Sequence, residues 1–347
     1  LPIYGEQSIL TPGNFFEKGG FKPNNGKERY YTGTYPKEYL CHKGDLIVAM
    51  TQQAEGLLGS TALVPENNKY LHNQRIGLIT CDEKRLNKLF AYYLFMTKSV
   101  REQLERSSSG TKVKHTSPEK IYDVEVEIPD VISQQKIANL LWAIDEKIAN
   151  NNAINDNLEQ QMHLIFENMM AKAATHKLSG EYTIAQNLAT VVTGKEDANF
   201  SVPNGKYKFF TCSNTPLSCD EYVFDSSSIL IAGNGDFNVK HYSGKFNAYQ
   251  RTYVLTPDKK YFGLLYLASL YRINSFKSRS SGSIVKFITK SDVENIPVFI
   301  PNDRFYLQEL NKLIYLQEQN KLENELLVNL RDWLLPMLMN GQATISD

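Results

Sequence analysis

One block of this sequence occurs twice at a fixed offset, and that repetition constrains the fold more tightly than composition does. Ser109-Gly110-Thr111-Lys112-Val113-Lys114 returns 172 residues on as Ser281-Gly282-Ser283-Ile284-Val285-Lys286. Val124, Val126, Ile128 and Pro129 return at the same offset as Ile296, Val298, Ile300 and Pro301. Ahead of these blocks, Ile229-Leu230-Ile231-Ala232 matches the apolar run at Leu46, and Gln250-Arg251-Thr252-Tyr253 matches the run that follows Gln74-Arg75. Residues 262–273 match a stretch of helical spacing at 86–104. The offset drifts from 183 through 176 to 172, so loops of different length sit on a constant frame, which is where binding specificity is built. A recognition unit present twice with a stiff spacer suits the reading of two sites a fixed distance apart.

With 347 residues, 42% of them hydrophobic, the chain exceeds one core and divides into two domains with connecting helices. The pattern predicts an α+β chain: two mixed domains at 1–130 and 179–303, a spacer helix after each at 131–178 and 304–340, and a frayed tail at 341–347. The two spacers are expected to form an antiparallel coiled coil with pseudo-two-fold symmetry. Strands are predicted at 44–50, at 76–80 and, from the alternation of Val124, Val126 and Ile128, at 124–128 up to Pro129. No apolar run approaches the ~18 residues of a membrane span, and no leader opens the chain, so a cytoplasmic protein without a membrane partner is expected. Cys41, Cys81, Cys212 and Cys219 lack metal-ligand spacing and read as free thiols.

The spacers carry a heptad seam. Ile137, Leu141, Ile144, Ile148, Asn151, Asn155, Leu158, Met162, Ile165 and Met169 fall at alternating steps of four and three, and an equivalent seam runs through Leu313, Leu316, Asn320, Glu323, Leu327, Leu330, Leu334 and Met337. Both seams have a polar middle, which fixes register and orientation. A helix over 133–171 is on the order of 58 Å long, and Pro336 is expected to close the second.

Net charge is zero, but its distribution is uneven. Between Asp236 and Asp292 only Asp258 is acidic, among ten cations, which predicts a positive field on the second domain. Motifs of catalysis are missing: no Asn/Asp-Pro-Pro-aromatic tetrapeptide, no phosphate-binding G-x-x-x-x-G-K-[ST], no HExxH and no G-x-S-x-G. Three readings follow: a DNA-recognition subunit, a coiled-coil scaffold with two protein- or ligand-binding domains, or a DNA-modifying enzyme with an unfamiliar site.

Three groups of residues together resemble the specificity subunit of type I restriction-modification enzymes. They are Gly44-Asp45-Leu46-Ile47-Val48-Ala49, the block from Ser108 to His115, and Ile128-Pro129 followed by Gln134-Gln135-Lys136-Ile137-Ala138. Gly233-Asn234-Gly235-Asp236-Phe237 and residues 281–301 carry the resemblance in the second half. It implies two target-recognition domains that each read half of a split double-stranded DNA site, with the helices as a ruler. It also implies two adenine-methyltransferase subunits and restriction/translocase subunits as partners. No cofactor is expected on this chain; S-adenosylmethionine, ATP and Mg belong on the partners. Residues 180–207 have no counterpart ahead of Ile9-Leu10-Thr11, so the first domain is expected to lack its opening segment.

The expected DNA contacts fall into two classes. Ser109, Gly110, Lys112 and Lys114 in one copy, and Lys277, Arg279, Ser281, Gly282 and Lys286 in the other, offer small residues and cations to phosphate; a structural hairpin is the alternative. Residues that differ between the copies are candidates for base readout: Gln52, Gln53 and Glu55 in the first, and Asn234, Asp236, Asn238, Lys240, His241 and Tyr242 in the second.

Overall fold

Apolar runs become strands buried on both faces. In a computed structural model, which describes residues 6–52, 56–110, 113–235, 237–279 and 287–345, and only the backbone of 277–279, the chain forms two units: Leu1–Ile148 with Leu326–Asp347, and Ala149–Glu325. The sheet of the second unit has six strands in the order Ala189–Thr193, Thr252–Pro257, Phe224–Ala232, Val239–Ala248, Tyr207–Phe210, Leu217–Cys219. All neighbours are antiparallel except Tyr207–Phe210 with Val239–Ala248. Period-two alternation splits its central run between two cores. Ile229 and Ile231 join the helix Phe262–Arg279, while Leu230 joins Phe210, Phe246 and Val254. A separate pair is formed by Pro297–Pro301 with Gly180–Ile184.

The first unit repeats this frame in shorter form. Leu46–Ala49 lies between Thr61–Leu63 and Ile76–Ile79, antiparallel to both. Leu46 faces the helical core of Phe90, Tyr93, Leu104 and Leu141, and Ile47 and Ala49 face that of Leu10, Phe15 and Tyr70. Gln7–Ile9 pairs with Tyr30–Tyr31 and Tyr70–Leu71, and Thr51–Gln52 with Lys114–His115. All four cysteines are free thiols.

Two expectations for this unit are corrected. The helix read over 86–104 is two helices, Lys88–Leu94 and Lys98–Ser107. At the break, the Thr97 hydroxyl donates to the Leu94 carbonyl at 2.7 Å and Arg101 Nε to the Phe95 carbonyl at 2.6 Å, so side chains satisfy carbonyls that a continuing helix would have used. Residues 124–128 are not a strand. Alternation marks a half-buried strand only where a neighbour supplies its ladder, and among the described residues none lies beside this segment.

The spacers are Val131–Ala174 and Arg304–Met339. Asp130 caps the first, accepting from the N–H groups of Ile132 and Ser133 at 3.0 and 3.1 Å. Within the second unit the two run antiparallel through a polar seam. Asn151 Nδ2 donates to Glu323 at 2.7 Å and to Asn324 at 2.9 Å, Asn320 donates to Asn155 at 2.9 Å, and Gln317 donates to Glu159 at 2.9 Å. Within the first unit Arg331 donates to Asp145 at 2.8 Å, and the buried Tyr93 hydroxyl donates to the same carboxylate at 2.7 Å. Burial, Asp145 and that hydrogen bond push the Tyr93 phenol far above its ordinary range.

The predicted second seam is met in part. Leu313 is buried and Asn320 and Glu323 face the first spacer, but Leu316 and Leu330 are exposed, and Leu310, Ile314 and Gln317 are buried beside Leu313. Pro336 does not end the helix. The turn beyond it buries Leu338 and Met339 in the core with Ile137 and Leu141, which offsets the hydrogen bond that proline removes. Closure comes at Gly341 (φ 67°), where Gln342 N–H donates to the Met337 carbonyl at 2.9 Å. Beyond it Ala343 and Ile345 pack on the core, so this part of the tail is not frayed.

Candidate nucleic-acid interface

Backbone hydrogen bonds draw four loops of the second unit together. Gly233 N–H donates to the Arg251 carbonyl at 2.8 Å, Ile288 to Gly233 at 2.7 Å, Thr252 to Tyr249 at 2.8 Å and Tyr249 to Phe210 at 2.9 Å. The first unit has the same frame: Met50 donates to Arg75, Thr116 to Met50 and Ile76 to Asn73, all at 2.9 Å. There the Asn73 side chain, donating to the Leu10 carbonyl at 2.6 Å, replaces the Tyr249 backbone donor. These bonds reproduce the drifting offset read from the sequence. In each unit the frame leaves a glutamine and an arginine exposed on its turn, Gln74 and Arg75 in one, Gln250 and Arg251 in the other.

Side chains clamp the loop bases. Lys240 donates to the Thr211 carbonyl at 3.2 Å and to that of Ser213, and Asn238 donates to Cys212 at 2.8 Å, which fixes the exposed residues Ser213, Asn214 and Thr215. Burial lowers the Lys240 ammonium to about 8. In the first unit Arg101 plays the equivalent part, donating to the carbonyls of Gly56 at 3.0 Å and Leu58 at 2.9 Å. Burial lowers its guanidinium to about 10. Gln52 accepts from Leu58 N–H at 2.6 Å and closes the same loop.

Several predicted readers are therefore spent inside the protein. Gln52 is 5% exposed. The His241 side chain, 2% exposed, lies in a strand and not in a free loop, held by Glu318 and Gln317 at 3.0 Å each. Tyr242 packs against Phe210 and Phe246, with the Lys208 ammonium 5.0 Å from its ring centre. Asn238 and Lys240 hold the neighbouring loop. Lys114 pairs with Glu105.

Ser109 and Gly110 stay on the surface, in a hairpin closed by Ser109 and His115. Gly110 is needed there: at φ 100° a Cβ would lie 2.1 Å from the Val113 carbonyl oxygen. Asn234 bridges to Phe287 and is half-buried. Gln53, Glu55, Lys112, Asp236, Ser281, Gly282 and Lys286, with the side chains of Lys277 and Arg279, lie outside the described residues. Lys240 is committed to carbonyls, Lys290 pairs with Glu294 at 3.3 Å, Lys245 stacks on Tyr222 and Arg272 on Phe276.

What remains exposed is chemically suited to a duplex. Arginine binds phosphate or guanine through a planar fork, and glutamine matches the adenine edge. Gln74, Arg75, Gln250, Arg251, Ser213 and Asn214 were not singled out from sequence, although the shared Gln-Arg pair stood in the aligned repeat. Among the described residues no cluster could hold a metal ion, and no helix is long and apolar enough to cross a membrane.

Residues 13–160 and 188–329 match the family model described as the type I restriction modification DNA specificity domain. The chain is 36% identical over 164 residues to the type I restriction enzyme EcoDI specificity subunit of Escherichia coli, across 45% of this chain and 37% of that protein. It is 22% identical over 304 residues to the MjaIX specificity subunit of Methanocaldococcus jannaschii, across 74% of this chain and 69% of that one. It thus spans little more than a third of the first relative's length. In fold it resembles the crystal structure of a type I restriction-modification S subunit from M. genitalium, with TM-score 0.59 and 20% identity over 98% of this chain and 93% of the other.

Proposed function

Because the chain belongs to the type I restriction modification DNA specificity family, we propose that it is a non-catalytic DNA-recognition subunit whose two units each read one half of a bipartite site. The observation that carries this reading is the loop frame present twice, with Gln74 and Arg75 exposed in one copy and Gln250 and Arg251 in the other. Arginines at equivalent places hold backbone or guanine, while the loops around them differ and distinguish bases. The spacer helices set the distance between half-sites.

We further infer that two methyltransferase subunits and, in the complete nuclease, restriction/translocase subunits act on the DNA that this chain selects, in the cytoplasm. S-adenosylmethionine, ATP and Mg then reside on those partners. Apolar side chains left exposed on the second spacer, Leu326 at 71%, Leu330 at 43% and Trp333 at 60%, favour docking of a partner helix there.

Co-expression with a type I methyltransferase subunit, followed by mapping of methylated adenines, tests the reading. The expected result is a split motif that disappears without this chain. Arg251→Ala should relax or weaken one half of that motif and Arg75→Ala the other, each by roughly 1–3 kcal/mol for a lost base contact. Methylation indifferent to this chain overturns the assignment.

A further inference from the structure

In the second unit the chain between Phe210 and Leu217 forms a loop held from several sides. Its start is tied to the turn that carries Gln250 and Arg251: Tyr249 N–H donates to the Phe210 carbonyl at 2.9 Å, and the Cys212 thiol to the Arg251 carbonyl at 3.5 Å. From the neighbouring strand and the residue ahead of it, Lys240 holds the carbonyls of Thr211 and Ser213, and Asn238 holds that of Cys212. Inside the loop Ser213 N–H donates to the Thr211 hydroxyl at 3.2 Å and Thr215 N–H to the Ser213 hydroxyl at 3.4 Å.

The hydroxyls of Thr211 and Ser213 are thus occupied within the loop, whereas the Asn214 side chain is exposed and makes no hydrogen bond among the described residues. Its counterpart in the aligned repeat, Asn14, turns the other way. It is 3% exposed, accepts from Thr11 N–H at 2.8 Å and donates to the Lys22 carbonyl at 3.2 Å. The frame is repeated while the outward amide is not, and a side chain that tells one half-site from the other must differ in this way.

We propose that Asn214 reads an adenine of the second half-site, beside Arg251, and that Lys240 is the positioning residue that holds it in place. A carboxamide presents an acceptor and a donor that match N6 and N7 of adenine in the major groove. The inference rests on the DNA reading and adds to it the reader of one half-site. A charged donor that spans two carbonyls loosens its hold when the charge is lost. Burial lowers the Lys240 ammonium to about 8, while the Arg101 guanidinium that holds the loop of the first unit is lowered only to about 10. The groups that face Lys240 are the loop carbonyls and the Cys212 thiol. Raising pH from 7 to 9 therefore removes charge from the clamp of the second unit and leaves it on that of the first.

The test uses the full chain with a type I methyltransferase subunit. Once methylation mapping has given the split motif, duplexes changed one base pair at a time across each half compete for binding. Asn214→Ala should lower the preference for one A·T pair of the second half by roughly tenfold, the worth of a bidentate base contact, and leave the first half alone. Lys240→Ala should blur the same base pair and Lys240→Arg should restore it. Raising pH from 7 to 9 should blur it in the parent chain and in Cys212→Ser, but not in Lys240→Arg. A parent complex with no split motif overturns the DNA reading and this assignment together. The assignment alone is overturned by a split motif that Asn214→Ala leaves intact or alters only at a G·C pair, or by a Lys240→Ala complex that loses both halves equally.

Discussion

His241 and Lys240 are neighbours that both read as DNA contacts in the sequence, and both turn inward for different reasons. Lys240 is held by loop carbonyls and His241 by Glu318, 77 residues away in the chain. Burial pushes the Glu318 carboxyl up, but hydrogen bonds and charge from His241, with Ser243 and Lys321, outweigh it and hold it below the ordinary carboxylate range. A depressed carboxylate contributes stability that is present above its unfolded value, 4.5, and lost as pH falls through its folded one. Denaturant midpoints measured from pH 7 down to 3 should therefore decline less steeply for Glu318→Gln than for the parent chain, and parallel declines would show that Glu318 is not the linked group. A polar, glycine-bounded run gave no sign that its residues belong to a strand packed under a distant helix. The Gln-Arg pairs were legible as a match between copies, but not as exposed, because exposure depends on which neighbouring loops the frame gathers.

Among the elements, the spacers were the most legible, since more than thirty residues without an interior glycine or proline specify a helix whatever surrounds it. Their buried line was less so. Leu316 and Leu330 fit the heptad and are nevertheless exposed, while Asn320 and Glu323 of the same heptad meet Asn155 and Asn151 of the facing helix. Such a seam is specific at the expense of stability. Asn151→Leu should lower unfolding free energy by about 1–3 kcal/mol, because Glu323 and Asn324 lose a buried donor. Thermal or urea unfolding that leaves Asn151→Leu as stable as the parent would show the seam to be mere filler. The strand predicted at 124–128 failed for the reason strands generally do: alternation records a face, while a ladder needs a neighbour.

For the whole molecule, the repeat made the two-unit organisation and its loop drift readable in the sequence, and three backbone hydrogen bonds of the two frames match it, with the Asn73 side chain standing in for a fourth. Both spacers continue from one unit into the other. One heptad inserted into each should lengthen the preferred gap between half-sites by about 10 Å, or about three base pairs, if helix length sets it. A methylation map with an unchanged gap would remove the ruler from the proposed function. A further consequence lies in which residues meet at the polar seam. Asn324 donates to Asn152 and Asn151 to Glu323, and both pairs are separated by the repeat length of 172. A position that touches its own counterpart is the signature of a self-complementary surface. The seam is therefore the kind of interface that a half-length ancestor could have formed with a second copy of itself, now carried within one polypeptide.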